Sequence, residues 1–76
     1  MVIKVEYYER LRDLRIDKDK TQKEIANILK TTESYYAAYE RGENQMTIER
    51  LRILCLYYGV SADYIMGLPK GLKWPR

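Results

Sequence analysis

Apolar residues recur along the 76-residue chain at helical spacing, in five short stretches separated by polar segments and glycines. Apolar side chains three or four positions apart share one face of a helix, whereas a half-buried strand would alternate apolar and polar residues. No stretch of the sequence alternates in that way. The pattern therefore predicts an all-α fold of five helices, the first covering roughly Val5 to Asp17 with Tyr7, Leu11 and Leu14 on one stripe.

Cap residues predict where the other helices begin and end. Thr21 and Glu24 match a capping box, in which the Thr hydroxyl and the Glu carboxylate each accept a hydrogen bond from an N–H that the helix leaves unpaired. Ser or Thr before a helix and Gly after it mark the remaining bounds. These signals predict four helices: Gln22 to Leu29, a helix capped by Thr31 or Thr32 that runs to about Arg41, a helix capped by Thr47 that stops at Gly59, and Ala62 to Met66. One domain, residues 1–68, would precede an aperiodic tail, residues 69–76.

The fourth predicted helix is apolar on more than one face. One stripe has core spacing and comprises Ile48, Leu51, Leu54, Cys55 and Tyr58. A second apolar set at positions i, i+3 and i+4 comprises Ile53, Leu56 and Tyr57. Because a surface helix needs only one apolar face, the second set predicts a homodimer interface. The alternative is packing within the chain, by Leu72 and Trp74 of the tail.

Composition narrows the classes of function. With no histidine and a single cysteine, Cys55, the chain lacks the residues of a multi-cysteine zinc site, a Ser-His-Asp triad or a Cys-His pair. No two acidic residues occupy an apolar setting that would separate their pKa values, so we predict no enzyme, metal site or cofactor. No apolar run approaches the ~20 residues of a membrane span, and the amino terminus lacks a secretory signal, which predicts a cytoplasmic protein. The net charge of +3 favours an anionic partner, although many small domains carry as much for solubility.

Two predicted helices joined by a tight link, Gln22 to Leu29 and Thr32 to Tyr39, carry the most informative motif. A small Ala26 allows the two helices to approach closely, and Tyr36 is spaced to fill the angle between them. The flanking features are TQ at residues 21–22, YERG at 39–42 and YGVSADYIMG at 58–67. In this combination, the chain from about Leu11 to Gly67 resembles the phage-repressor and Cro-like helix-turn-helix family, also called the xenobiotic-response-element family.

The resemblance implies an interface with double-stranded DNA, in which the second helix of the motif lies in the major groove. On the family's pattern the base-facing positions are Thr32, Glu33, Ser34, Tyr35 and Ala38. None of them is Arg, Lys, Gln or Asn, the side chains that contact guanine or adenine through two hydrogen bonds. Phosphate contacts would come from residues at the start of the first motif helix and around the motif: Lys20, Thr21, Gln22, Lys23, Lys30, Arg41 and Asn44.

Two further expectations come from the same resemblance. The family pairs an arginine of the first helix with the glutamate of YERG, here Arg15 with Glu40, as a largely buried ion pair. The family usually has a glycine in the link where this chain has Lys30. A left-handed turn at that lysine would carry a strain of order 1 kcal/mol.

The sequence thus predicts a five-helix domain that binds double-stranded DNA as a homodimer and regulates transcription, as a repressor. Because the base-facing positions include no Arg or Lys, we expect one monomer to bind DNA weakly and dimerisation to strengthen the binding. Because no residues remain for an effector domain, control would come through concentration, proteolysis or a regulatory protein partner. The alternative is a protein-interaction or antitoxin-like module on the same scaffold, whose tyrosine-rich helix contacts protein.

Overall fold

The computed structural model describes residues 6–68 of the chain. They form five helices, and no strand occurs within this range: α1 Tyr7–Asp17, α2 Gln22–Ile28, α3 Glu33–Glu40, α4 Ile48–Tyr58 and α5 Ala62–Met66. The predicted all-α, five-helix fold is confirmed. The predicted start of the first helix at Val5 and the tail, residues 69–76 with Leu72 and Trp74, lie outside the described residues.

Side-chain caps begin four of the five helices. Thr21 and Glu24 form the predicted capping box, with the Thr21 hydroxyl 3.1 Å from the Glu24 nitrogen and the Glu24 carboxylate 3.0 Å from the Thr21 nitrogen. The hydroxyls that cap α3, α4 and α5 belong to Thr32, Thr47 and Ser61. These caps satisfy N–H groups at helix starts that have no partner within their own helix, and each lies where the sequence predicted it.

Side chains from all five helices meet in one core. The largest fully buried ones are Tyr36, Tyr39, Leu11, Ile25, Leu54 and Ile65. The prediction that Ile48 belongs to this core is wrong, because 86% of its surface is exposed. Ile48 is the first residue of α4, and the helix meets the core one turn later, at Leu51. Cys55 lies half-buried at the core's edge, where burial raises the pKa of its thiol.

Two left-handed residues make the turns that place α3. Lys30, between α2 and α3, has φ 57°, so the turn predicted there is present with its small strain. Gly42, after α3, has φ 76°, and a Cβ atom built on it would lie 2.7 Å from Cζ of Tyr8. The end of α3 therefore lies directly against α1, and a side chain at position 42 would require the Tyr8 ring to move.

Within residues 6–68, no helix is long and apolar enough to cross a bilayer. In the same range, no cluster of His, Cys, Asp or Glu side chains is arranged to hold a metal ion.

Candidate nucleic-acid interface

The first turn of α3 presents an exposed polar face. Thr32, Glu33, Ser34 and Tyr35 are all exposed, and Tyr35 retains 48% of its accessible surface. Thr32 uses its hydroxyl oxygen to cap the helix, accepting from the Tyr35 nitrogen at 3.1 Å, and its O–H remains a donor. Four of the five positions predicted to face bases therefore share one accessible surface, which we call the reading face.

Ala38, the fifth predicted position, does not belong to the reading face. Only 8% of its surface is exposed. The chain turns back immediately after α3, and the backbone nitrogen atoms of Glu43 and Asn44 both donate to the Ala38 carbonyl. Contact between Ala38 and a base therefore stays a prediction, at a position that is nearly buried in this structure.

The opposite side of α3 is anchored in the core, which determines the direction of the reading face. Tyr36 and Tyr39 are 0% and 1% exposed, and their rings meet edge to face at 6.3 Å. On α2, the small Ala26 and Ile25 are also buried, in line with the close approach that the sequence predicted for the two helices. Since side chains on opposite sides of a helix cannot both be buried in one core, residues 33–35 face outwards.

A buried polar network joins α1, α2 and α3 behind the reading face. Arg15 Nε and Nη2 donate to the two Glu40 carboxylate oxygens at 2.7 and 3.1 Å. The side chains of Arg15 and Glu40 are only 13% and 4% exposed. Gln22 Nε2 donates to the same carboxylate at 3.0 Å, and Arg15 Nη1 donates to the Lys20 carbonyl at 2.9 Å. One guanidinium thus holds together the link before α2 and the end of α3.

The network also determines the charge state of Glu40. Burial alone would raise the pKa of this carboxyl, but the hydrogen bonds from Arg15 and Gln22 outweigh burial and lower it below its ordinary value. The pKa of Arg15 is raised by its hydrogen bond to Glu40. Arg15 and Glu40 are therefore both charged at neutral pH. One amide hydrogen of Gln22 bonds within the protein and is not free for a ligand.

The predicted phosphate-contacting residues divide into two groups. Lys23 and Lys30 are exposed and form no salt bridge within the described part of the chain, and Lys20 is half-buried. Arg41 is exposed, but its Nε and Nη2 atoms donate to Glu43 at 2.7 and 3.0 Å, which raises the pKa of the guanidinium. Asn44 is half-buried and Thr21 is occupied as a cap. Lys23 and Lys30 are therefore the exposed lysines of this group without an ion-pair partner among residues 6–68.

Sequence reasoning gave Arg50 no role, yet the structure places it against α3. Its Nη1 atom donates to the Tyr39 hydroxyl at 2.7 Å. Its guanidinium carbon lies 5.6 Å from the centre of the Tyr35 ring and 5.9 Å from that of Tyr39. In the sequence, Arg50 is marked only by its position in the first turns of α4. No rule of residue spacing indicates that a side chain of α4 contacts α3.

Helix α4 also borders an apolar surface on another side of the domain. One groove of about 390 Å³ is lined by Tyr7, Gln45, Met46, Ile48, Leu51, Ala62 and Met66. A second, of about 200 Å³, adjoins it and includes Ile48, Leu51, Cys55, Leu56 and Ala62. Ile48 and Leu56 are the most exposed of these apolar residues, at 86% and 70%. We call this surface the apolar groove.

Of the three residues predicted for a dimer interface, Leu56 alone lines the apolar groove. Ile53 packs against the core instead and is only partly exposed, so the structure does not bring it to that surface. Tyr57 is 41% exposed, but it packs edge to face on Tyr58 and borders a different cavity, beside Lys18 and Lys20. The helical period explains the split, because positions 53 and 57 lie beyond position 56 on the helix surface, outside the arc of the α4 residues that line the groove.

Known proteins share this arrangement of sequence features. The family described as "Helix-turn-helix domain" matches residues 8–70. The chain is 35% identical over 54 residues to the cryptic phage CTXphi transcriptional repressor RstR of Vibrio cholerae, an alignment that covers 71% of the chain and 49% of RstR. It is 37% identical over 62 residues to the uncharacterized HTH-type transcriptional regulator YobD of Bacillus subtilis (strain 168), covering 82% of the chain and 55% of YobD. The chain thus spans about half the length of these curated relatives, and no solved structure gives a significant match.

Proposed function

Because the chain belongs to the xenobiotic-response-element helix-turn-helix family, we propose that it binds double-stranded DNA and regulates transcription. The observation that carries the proposal is the reading face: four exposed residues at the start of α3, held outwards by the buried tyrosines and the Arg15–Glu40 pair behind them. In this family's motif the second helix enters the major groove with its amino-terminal residues against base edges. The anchored side of α3 supports the proposal because a reading helix must hold its direction while it meets the bases.

The reading face would select bases through a small set of contacts. Glu33 accepts a hydrogen bond from cytosine N4, and Ser34 can donate or accept. The Tyr35 ring offers apolar contact to a thymine methyl group. Glu33 also repels phosphate, which would penalise loose binding to unrelated sequences. A helix with these contacts discriminates among sequences but contributes little attraction of its own.

Attraction to the DNA backbone would come from beside α3. Lys23 and Lys30 are exposed and have no salt bridge with any residue of 6–68, and Lys20 lies between α1 and α2. We assign weaker roles to Thr21, Gln22 and Asn44, whose polar groups are partly used within the protein, and to Arg41, which Glu43 partly neutralises. Each phosphate that a lysine neutralises adds about −0.9 to the slope of log affinity against log salt.

We further propose that the protein acts as a homodimer and as a repressor. Weak reading by one monomer favours two copies on two half-sites, as is usual for helix-turn-helix proteins. The apolar groove supports self-association, since exposed Ile48 and Leu56 border concave apolar surface that a second copy would cover. The name of RstR describes a transcriptional repressor, and that sign of regulation is extended here to this chain as part of the proposal.

Selection from random duplexes, followed by binding curves at two salt concentrations, tests the proposal. We expect one enriched sequence with two related half-sites, bound more tightly than random duplex, and an affinity that falls as salt rises. A variant with Lys23 and Lys30 both changed to Gln should bind all duplexes more weakly and show a shallower salt dependence. Absence of duplex binding at low salt would refute the DNA-binding function and favour a protein-interaction module.

A further inference from the structure

The reading face has an accessory cation that does not belong to the helix-turn-helix motif. Residues 32–35 include no Arg or Lys, and Glu33 is acidic. Arg50 of α4 nevertheless lies over the ring of Tyr35, the largest side chain of the reading face, at 5.6 Å from its centre. A guanidinium within about 6 Å of an aromatic ring is attracted to the negative face of that ring.

The hydrogen-bond partners of Arg50 indicate how firmly it is held. Nη1 donates to the hydroxyl of Tyr39, a residue with only 1% of its surface exposed. Tyr39 also meets Tyr35 edge to face, with ring centres 5.3 Å apart. Arg50 therefore joins a side chain fixed in the core to one that stands in solvent. Tyr35, with 48% exposure, has no other aromatic or cationic contact among the described residues.

Arg50 also keeps donors for a ligand. A guanidinium carries five N–H groups, and the described residues provide one partner, the Tyr39 hydroxyl. Arg50 is half-buried, but none of its nitrogen atoms is both buried and unpaired, so the remaining donors are open to solvent. By contrast, the guanidinium of Arg15 uses three nitrogen atoms inside the protein.

We infer that Arg50 is a positioning residue for base selection: it holds the Tyr35 ring in one orientation on the reading face and brings positive charge beside it. The inference rests on the proposed DNA-binding function. An exposed tyrosine turns about two side-chain bonds, and ordering it upon binding would weaken any preference that it confers. The contacts with Arg50 and Tyr39 restrict the ring before DNA arrives. Planarity matters here, because an ammonium group cannot stack on the ring as a guanidinium does.

The test compares binding to the preferred duplex with binding to duplexes changed at one base pair each. Tyr35→Ala identifies the base pair whose identity Tyr35 reads. We expect Arg50→Ala to reduce discrimination at that same base pair by about tenfold, the scale of one good base contact. The double variant should be little worse than Tyr35→Ala alone, because Arg50 acts on this base pair through the Tyr35 ring. Arg50→Lys should recover affinity for all duplexes more than it recovers discrimination.

Three control variants separate positioning from charge and from folding. Arg12→Ala removes one positive charge from an exposed side chain of α1, which lines neither part of the apolar groove, and should leave discrimination unchanged. Tyr39→Phe removes the hydrogen bond that anchors Arg50 but keeps both rings and the charge of Arg50, so discrimination should fall part of the way towards that of Arg50→Ala. If Arg50→Ala does not fold, Arg50→Gln retains a donor for Tyr39 while losing charge and stacking, and it replaces Arg50→Ala in the comparison.

The outcomes distinguish this inference from the proposed function. If the unchanged protein binds no duplex, the proposed function fails and takes the inference with it. If the unchanged protein selects a sequence and Arg50→Ala selects it with equal discrimination, the inference alone is overturned. A uniform loss of affinity on every duplex, fully restored by Arg50→Lys, would likewise overturn it, since Arg50 would then act as a bare charge towards phosphate.

Discussion

The Glu40 side chain is nearly buried, with 9% of the residue's surface exposed, and hydrogen-bond donors from α1 and α2 stabilise its negative charge. Removing one partner of a buried ion pair strands the other charge, which typically costs about 3–5 kcal/mol. We expect Arg15→Ala and Glu40→Ala each to lower the free energy of unfolding by that order, as measured by urea denaturation. The double variant should lose less than the sum, with a coupling above ~0.5 kcal/mol.

The exposed Arg41–Glu43 pair provides the matched control. Its side chains are 56% and 59% exposed, and exposed pairs contribute little to stability, so Arg41→Ala should hardly change unfolding. Additive losses for Arg15 and Glu40 would contradict the energetic coupling that the burial of this pair implies.

The same carboxylate predicts how stability responds to acid. The pKa of Glu40 is lower in the folded protein than its ordinary value of about 4.3, so the folded state binds the proton less readily than the unfolded state. The stability due to Glu40 is therefore fully present above about pH 4.3 and is lost as pH falls through the folded pKa. Melting temperatures from pH 7 to pH 3 should converge for the unchanged protein and Glu40→Gln. A constant difference across that range would assign the acid sensitivity to other groups.

Glu33 tests whether the reading face limits loose binding. Glu33→Gln removes a negative charge from the exposed first turn of α3, so affinity for random duplex DNA should rise. The preferred base at one position should also change, because Gln pairs best with adenine and Glu with cytosine. Stability should fall by less than about 1 kcal/mol, the value of a charge near a helix amino terminus. Unchanged preference in a repeated duplex selection would exclude Glu33 from the base contacts.

At the scale of helices and turns, the junction after α3 is more closely packed than the junction after α4. Gly42 and Gly59 are both left-handed, at φ 76° and 70°, so alanine at either site incurs a strain of order 1 kcal/mol. Only Gly42 also faces a close neighbour, Tyr8, while nothing lies within 4 Å of the Cβ position at Gly59. Gly42→Ala should therefore lower the melting temperature more than Gly59→Ala does.

A change at Tyr8 tests the cause of that difference in melting temperature. In a Tyr8→Ala background the contact is gone, so Gly42→Ala and Gly59→Ala should then cost about the same. A persistent excess at Gly42 would show that the turn, and not the approach of α1, limits this position.

For the assembled domain, the apolar groove predicts how copies associate. Leu56→Lys places a charge on an exposed apolar residue that borders the groove, so the proposed homodimer should dissociate, as measured by sedimentation equilibrium. Affinity for a two-half-site duplex should fall with it. Ile16→Lys is the matched control, because Ile16 is also exposed, at 48%, and lines neither part of the groove. A Leu56→Lys protein that remains dimeric would place the interface on another surface.

The helices and their caps were predictable because their signals are local. A capping hydroxyl lies three residues from the nitrogen that it serves, as Thr21 does from Glu24, and the apolar period repeats within one turn. Lys30 was expected to be left-handed because the resemblance places a turn there, and its φ of 57° agrees. Four of the five predicted base-facing positions are exposed because Tyr36 and Tyr39 bury the opposite side of α3 in the core.

Residue spacing could not show where a side chain ends once separate helices pack together. Ala38 and Ile48 stand at the helical spacing expected of a base-facing and a core residue. Ala38 is nevertheless nearly buried beside a backbone turn, and Ile48 is exposed because α4 begins outside the core. Arg50 has no signal at all, because its contacts lie 11 and 15 residues away on another helix. Local periodicity and capping determine which segments are helical and which faces are apolar. The partners of long polar side chains depend on distances between helices, and those distances exist only after the core has assembled.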